Sequence, residues 1–282
     1  MNKVTLPSHY NYIGIFLTLG CNLSCSYCIN HTVGLNQKRK HLNAQQWITG
    51  LKRIKAQTNL PFSLQGGEPT IHPGIYDILN GLNHPVDLLT NLQFSAEKFI
   101  KNVSPNIFSR NLPYPAIRVS YHPETMVFEE LINKVLLLES HGHSIGLFSV
   151  DHPKYKNHIL EAKSFCEKNN IFFKTKPLLA KFDGKVYGDY HYKDACFSDH
   201  LKTCECKTSE LLIDPYGDIY RCHHDLYNKI NPQGNILDSN LSINDTFKTC
   251  HYYGNCNPCD IKIKNNRFQQ FGHASVEIRN IK

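Results

Sequence analysis

Between Tyr12 and Leu178 the sequence repeats one pattern. A short apolar run rich in β-formers is followed by a segment whose apolar residues recur every three to four positions. The runs are Tyr12 to Leu19, Phe62-Ser63-Leu64, Val86 to Leu89, Ile117 to Tyr121, Ser144 to Val150 and Ile171 to Leu178. Near-continuous apolar strands of this kind are buried on both faces, as in parallel sheets. Between them, Asn43 can cap a helix with Trp47, Ile48, Leu51 and Ile54 on one face. Ile75 to Leu82 and Ser95 to Val103 read as the next two helices, and Pro123 suits the first turn of a fourth that carries Phe128, Leu131, Ile132, Val135 and Leu138. Ile159, Ala162 and Cys166 share a face of a fifth, which makes Cys166 a core thiol. Alternation sustained this far predicts right-handed crossovers in a parallel sheet. It stops near residue 180, and the units are too few to close an eight-stranded barrel. The expected fold class is α/β: a partial (β6/α6) TIM-type barrel over residues 1-185, with a small cysteine-rich C-terminal domain over residues 186-282.

Eleven cysteines is an odd number in a chain of 282 residues, which is long enough to build a core without disulfide staples. They crowd towards both ends, a pattern that argues for metal binding in a reducing compartment, with the cytoplasm as the expected location. No stretch is apolar enough to span a bilayer, so no membrane partner is expected. The segment from Ile13 to Cys21 has the outline of a signal peptide ending in a lipidated cysteine. Its apolar core is short, Lys3 is the only basic residue before it, and two more cysteines follow at once. The net charge of +7 is spread along the chain. One run, Lys38-Arg39-Lys40, reads as a solvated loop, with an anion contact as the sharper alternative. Nucleic acid is not an expected partner.

Cys21, Cys25 and Cys28 follow the first strand directly. Three thiolates on one loop can converge on one metal centre. A four-iron cube bound by three cysteines keeps one corner open to bind and activate a ligand. Tetrahedral zinc is the alternative, with His31 as a nearby fourth ligand. The spacing C-x3-C-x2-C, with Tyr27 just before the last cysteine, resembles the signature of the radical S-adenosylmethionine (SAM) superfamily. Gly66-Gly67-Glu68-Pro69, at the end of the second strand, is similar to the family's GGEP segment, which contacts the amino group of the SAM methionine moiety. The residues themselves suit that role, since two glycines let a ligand approach the backbone and Glu68 supplies charge for an ammonium. Thr90-Asn91 resembles the family's TN step, and Ser120 stands where the family often places a contact to the SAM ribose. His122 is a candidate catalytic residue at a strand end, or a helix-entry histidine.

The resemblance covers residues 10 to 180, and its specific part is the cysteine loop. It implies a [4Fe–4S] cluster on Cys21, Cys25 and Cys28, with SAM at the free iron and Tyr27, Gly66, Gly67, Glu68, Pro69, Thr90, Asn91 and Ser120 around it. It also implies reductive cleavage of SAM to methionine and a 5′-deoxyadenosyl radical, which abstracts hydrogen from an unactivated C–H bond. A flavodoxin- or ferredoxin-type electron donor follows from the same likeness.

Six more cysteines, Cys204, Cys206, Cys222, Cys250, Cys256 and Cys259, lie near the C-terminus. Asp214 to Cys222 reads as a hairpin with Cys222 on the return strand. Cys206, Gly217 and Cys222 resemble the opening C-x(9–15)-G-x4-C of the SPASM and twitch extensions of radical SAM enzymes, and Cys256-Asn257-Pro258-Cys259 resembles their later C-x2-C pair. This implies one auxiliary [4Fe–4S] cluster on Cys206, Cys222, Cys256 and Cys259, with Cys204 an equally legal replacement for Cys206. The run C250-x5-C256-x2-C259 departs from the full SPASM pattern and favours the shorter twitch type. A zinc knot with His223, His224 or His251 as spare ligands is the structural alternative.

Only twenty residues precede Cys21, too few for a peptide-recognition domain. A small-molecule substrate is expected. The aromatic and polar segment Phe182 to Tyr192 suits a sugar-like molecule or, equally, interdomain packing. The expected reaction is oxidation or epimerisation at a carbinol carbon, with Cys196, Cys204 and Cys250 as candidate hydrogen-donating thiols. A peptide maturase forming thioether or carbon–carbon crosslinks is the second reading, and a non-catalytic zinc-binding protein is the third.

Overall fold

A computed structural model describes residues 2–32, 40–56, 60–264 and 272–282; the side chains of residues 31 and 32 are not described. Of the basic run, Lys38 and Arg39 lie outside the described residues, and Lys40 is exposed. In chain order the first elements are β1 (Val4–Thr5), β2 (Tyr12–Thr18), α1 (Ala44–Leu51), β3 (Ile54–Lys55), β4 (Phe62–Gly66), α2 (Ile75–Gly81), β5 (Val86–Thr90) and α3 (Ala96–Asn102). They continue as β6 (Ile117–Tyr121), α4 (Phe128–Ser140), β7 (Ile145–Asp151), α5 (Lys156–Lys168), β8 (Phe173–Pro177), β9 (Ala180–Phe182) and β10 (Lys185–Tyr187). The cysteine-rich part holds β11 (Lys202–Thr208), β12 (Glu210–Ile213), β13 (Ile219–Tyr220), α6 (His223–Asn228), β14 (Lys248–Tyr253), α7 (Pro258–Ile261) and β15 (Val276–Arg279).

Every residue of β2 is buried, as a strand covered on both faces must be. One sheet runs in the order β13-β12-β2-β4-β5-β6-β7-β8. The strands from β2 to β8 in that order are parallel, and α1 to α5 return between them. Ile13, Ile15, Leu17, Leu64, Leu88, Val119 and Leu147 form the centre of the core, and Cys166 is buried with them. The fold class is the expected one, an α/β partial barrel. Among the described residues no pairing joins β8 to β13, so the sheet stays open. After β8 comes the β9–β10 hairpin rather than a sixth helix, turned by Asp183 and Gly184 at φ of 48° and 73°. The hairpin expected around Gly217 is present as β12 and β13, but Cys222 is not on its return strand: β13 ends at Tyr220, and Cys222 caps α6, its sulfur accepting from the Asp225 N–H. The hairpin extends the barrel sheet, with β12 parallel to β2. Beside it, β14, β11 and β15 make a separate antiparallel sheet.

Two local expectations need correction. The first helix ends at Leu51, and Ile54 lies in β3, paired in parallel with Val4. Arg53 explains the break. Its guanidinium is buried and donates to the carbonyls of Asn2 and Ile236, which pulls the chain out of the helical path. The fourth helix starts at Phe128, not at Pro123. Residues 122–126 form a turn in which the His122 carbonyl accepts from the N–H groups of Thr125 and Met126.

Candidate active site

The C-terminal ends of β2, β4, β5, β6, β7 and β8 surround a cavity of about 290 Å3. In parallel α/β folds this end carries the chemistry. Its lining includes Cys21, Cys25, Tyr27, Cys28, Gly66, Gly67, Glu68, Thr90, Asn91, Ser120 and His122, so residues expected from four separate motifs meet at one place. Pro69 stands behind them and opens a 3-10 turn. Sequence reasoning missed Asn30, Lys176 and Lys262, which line the same cavity, and it assigned Cys259, which lines it too, to the auxiliary cluster. Lys176 was within reach, since it ends a predicted strand. A larger groove of about 670 Å3 sits at the opposite end of β2, around Tyr10 and His273, and no cysteine is among its described lining residues.

Backbone contacts pin the cysteine loop to the end of β4. The Gly67 N–H donates to the Thr18 carbonyl at 2.9 Å, and the Glu68 N–H donates to the Gly20 carbonyl at 2.8 Å. Asn30 Nδ2 donates to the Gly66 carbonyl at 2.7 Å. Across the loop, Glu124 accepts from the Ser26 N–H at 2.7 Å, which keeps its carboxyl below the usual range. The two glycines are therefore needed by the protein's own packing. A Cβ on Gly67 would lie 1.9 Å from the Gly20 carbonyl oxygen, and one on Gly66 just as close to that of Thr18.

Glu68 is 1% exposed. Its Oε1 accepts from Thr90 Oγ1 at 2.8 Å and from both the N–H and the hydroxyl of Thr70; its Oε2 accepts from the Asn91 N–H at 2.6 Å. Burial raises its pKa against these donors. The carboxylate thus locks the end of β4 to the end of β5. Asn91 Nδ2 reaches on to Asn22 Oδ1 at 2.7 Å and to Cys21 Sγ at 3.7 Å.

The loop thiols fit a four-iron cluster. Cys21, Cys25 and Cys28 line one cavity and are close enough to interact electrostatically. Burial raises the pKa of Cys25 and Cys28. Cys21 Sγ accepts from the Leu23 N–H at 3.4 Å as well as from Asn91, and such bonds to sulfur tune cluster potentials. Among the described residues no group of three or more His, Cys, Asp or Glu side chains stands ready-placed around a metal ion.

Tyr27 packs among His122, His152 and Tyr155, and its hydroxyl is hydrogen-bonded to His122 Nδ1 at 3.0 Å. Burial, helped by Lys176, lowers the His122 pKa to about 4. The unfolded chain therefore binds a proton here that the folded chain refuses between its ordinary value and about pH 4. Stability is expected to fall as pH drops through that window. In His122→Gln, the urea midpoint should fall less between pH 6.5 and pH 4.5 than in the unsubstituted protein, all other groups being shared.

A second, smaller cavity lies in the cysteine-rich part, lined by Cys204, Cys206, Cys222, Cys250 and Cys256 with His224. Cys204 and Cys206 share one face of β11, and Cys250 pairs opposite Cys204 on β14. Mutual contact pushes the Cys250 thiol down and the Cys206 thiol up. Cys259 instead opens on the larger cavity, near Lys262. Cys196 packs against the hydrophobic cluster of the C-terminal part. Of the spare histidines, His223 is held by Asp260 at 2.9 Å and His251 meets Thr203 at the surface. The segment Phe182 to Tyr192 does not line the active-site cavity, although His191 and Tyr192 border the groove at the opposite end of β2; Phe182 packs edge-on against His152.

No protein-family model matches the sequence. Over 83 residues the chain is 34% identical to molybdenum cofactor biosynthesis protein 1 of Bos taurus, a stretch covering 29% of this chain and only 13% of that protein. Among solved structures, native anSMEcpe with bound AdoMet (SAM) superposes with a TM-score of 0.56 at 16% identity, over 82% of this chain and 79% of that one. SuiB of Streptococcus suis superposes with a TM-score of 0.52 at 16% identity, over 83% and 65%. The chain shares the fold of these two structures. That fold brings the cysteine loop of β2 beside the ends of β4, β5 and β6. Among the described residues no helix is long and apolar enough to cross a membrane.

Proposed function

We propose that this protein is a radical SAM enzyme that abstracts hydrogen from a small polar molecule. One observation carries the reading: the C-x3-C-x2-C loop sits on one cavity with Gly66-Gly67-Glu68, Thr90-Asn91 and Ser120, each from the end of a successive parallel strand. Cys21, Cys25 and Cys28 would hold the SAM-binding [4Fe–4S] cluster. When bound, cluster and SAM together supply a carbon radical strong enough to take hydrogen from an unactivated C–H bond. This chain's residues orient the cofactor and exclude water. Glu68 fixes the two strand ends, Tyr27 is braced by His122, and Asn91 reaches the cluster thiol of Cys21.

The substrate side carries Lys176, Lys262 and His122, whereas Glu68 is spent on internal hydrogen bonds. These three side chains favour a polar, hydroxylated or anionic small molecule. In this reading residues 1-185 would hold the SAM-binding cluster and residues 186-282 an auxiliary [4Fe–4S] cluster, which would supply one-electron redox chemistry suited to a carbinol oxidation. A flavodoxin- or ferredoxin-type protein would be the electron donor, in a reducing compartment such as the cytoplasm. Peptide maturation is the second reading, favoured by the superposition, at a TM-score of 0.55, on anSMEcpe with bound AdoMet and a peptide.

Anaerobic reconstitution followed by iron, sulfide and 5′-deoxyadenosine assays with dithionite tests the proposal. About eight irons per chain and SAM cleavage are expected. Zinc in place of iron, or a fully loaded protein that leaves SAM intact, would overturn it in favour of a zinc-binding protein. Turnover with sugars as against short peptides then separates the two enzymatic readings.

A further inference from the structure

The family-like spacing pairs Cys256 with Cys259 as ligands of one auxiliary cluster. The folded chain separates them. Cys256 faces the small cavity shared with Cys204, Cys206, Cys222 and Cys250, whereas Cys259, on α7, lines the larger cavity with the cysteine loop. We infer that Cys250 completes the auxiliary thiol set with Cys222, Cys256 and a cysteine of β11, and that Cys259 stands outside it. The inference rests on the auxiliary-cluster half of the proposed function.

Three observations place Cys250 at the centre of the set. Strand register puts it opposite Cys204. Its thiol lies within electrostatic reach of both Cys204 and Cys206, the two buried thiols on one face of β11. It also lies within electrostatic reach of Cys256, while Cys206 lies within reach of Cys222. The thiols thus form a connected group on three elements and the loop before α7. The neighbours of Cys259 are of another kind: Lys262, Lys264, Asp260 and Glu210, with Tyr190 and Tyr227. Four thiolates lining one small cavity meet the needs of a fully ligated cluster, which has no open corner.

The test uses the full chain carrying Cys21→Ala, Cys25→Ala and Cys28→Ala, so that only the auxiliary cluster remains. After anaerobic reconstitution this variant should hold about four irons. Adding Cys250→Ala should remove them, and adding Cys259→Ala should leave them and their reduced EPR signal unchanged. Iodoacetamide applied to the loaded, otherwise unsubstituted protein should spare Cys250, and should label it once a chelator has removed the iron, read by peptide mass; this arm needs no folded variant. Four irons that survive loss of Cys250 but not of Cys259, or labelling of Cys250 in the loaded protein, would overturn the inference alone. A parent variant without iron would overturn it together with the auxiliary-cluster reading.

Discussion

Replacing Cys21, Cys25 and Cys28 together by alanine is expected to take about four irons from each reconstituted chain and to reduce dithionite-driven SAM cleavage to background. The loss should be specific. Cys21 is exposed and Cys28 only partly buried, and neither belongs to the barrel core. Cys25 is buried but lies against Thr125 at the cavity edge, 3.5 Å from its hydroxyl. The loop is held instead by Asn30, Glu124 and the N–H groups of Gly67 and Glu68, all of which the variant keeps. The urea midpoint of the unloaded proteins should therefore shift little, since truncating three thiols removes little packed area. SAM binding, measured by equilibrium dialysis, should weaken rather than vanish, because the ends of β4, β5 and β6, with Gly66, Asn91 and Ser120 on the cavity, remain in place. SAM cleavage persisting in a variant that has lost those irons would mean that the cysteine loop is not the reactive centre.

The barrel was legible because its signal is local. β2, β4, β5, β6 and β7 are short apolar runs with helical periods between them, and burial on both faces demands that composition. The cavity was legible because parallel strands place their C-terminal ends together, so motifs more than twenty residues apart in sequence become neighbours. What escaped depends on distant partners. Ile54 continues the apolar spacing of Trp47 and Leu51, yet it is drawn into β3 by the N-terminal strand and by a guanidinium that reaches Ile236. Pro123 has the residue preference of a helix start, yet Glu124 is committed to the Ser26 N–H and the chain turns before it can coil. The same limit governs the C-terminal cysteines. Spacing along the chain brings Cys256 and Cys259 together, whereas cross-strand register brings Cys204 to Cys250 over 46 residues. The role of Gly66 and Gly67 was half legible. A close backbone approach was expected there, but the approaching group is the protein's own cysteine loop rather than a ligand alone.

Gly67→Ala should disable the site from outside the metal ligands. Its added Cβ would lie 1.9 Å from the Gly20 oxygen and 2.4 Å from the Gly20 carbonyl carbon, both backbone atoms that cannot rotate away. Relief requires the end of β2 and the stem of the cysteine loop to move off β4. That breaks the bonds from the Gly67 and Glu68 N–H groups to Thr18 and Gly20. Overpacking of this severity costs about 3 kcal/mol, and it falls on the stem that positions Cys21. Iron should drop by about four per chain, and SAM cleavage should fall at least a hundredfold, with the auxiliary iron retained. Gly184→Ala is the matched control. Gly184 has a positive φ of 73° but no atom within 4 Å of an added Cβ, so it carries backbone strain without a clash. It should lose about 1 kcal/mol and keep its iron and its SAM cleavage. The contrast separates glycine as a flexible residue from glycine as the space that two backbones need. If Gly67→Ala loads and cleaves SAM as well as Gly184→Ala does, the apposition of the β2 and β4 ends is not what holds the cysteine loop over the cavity.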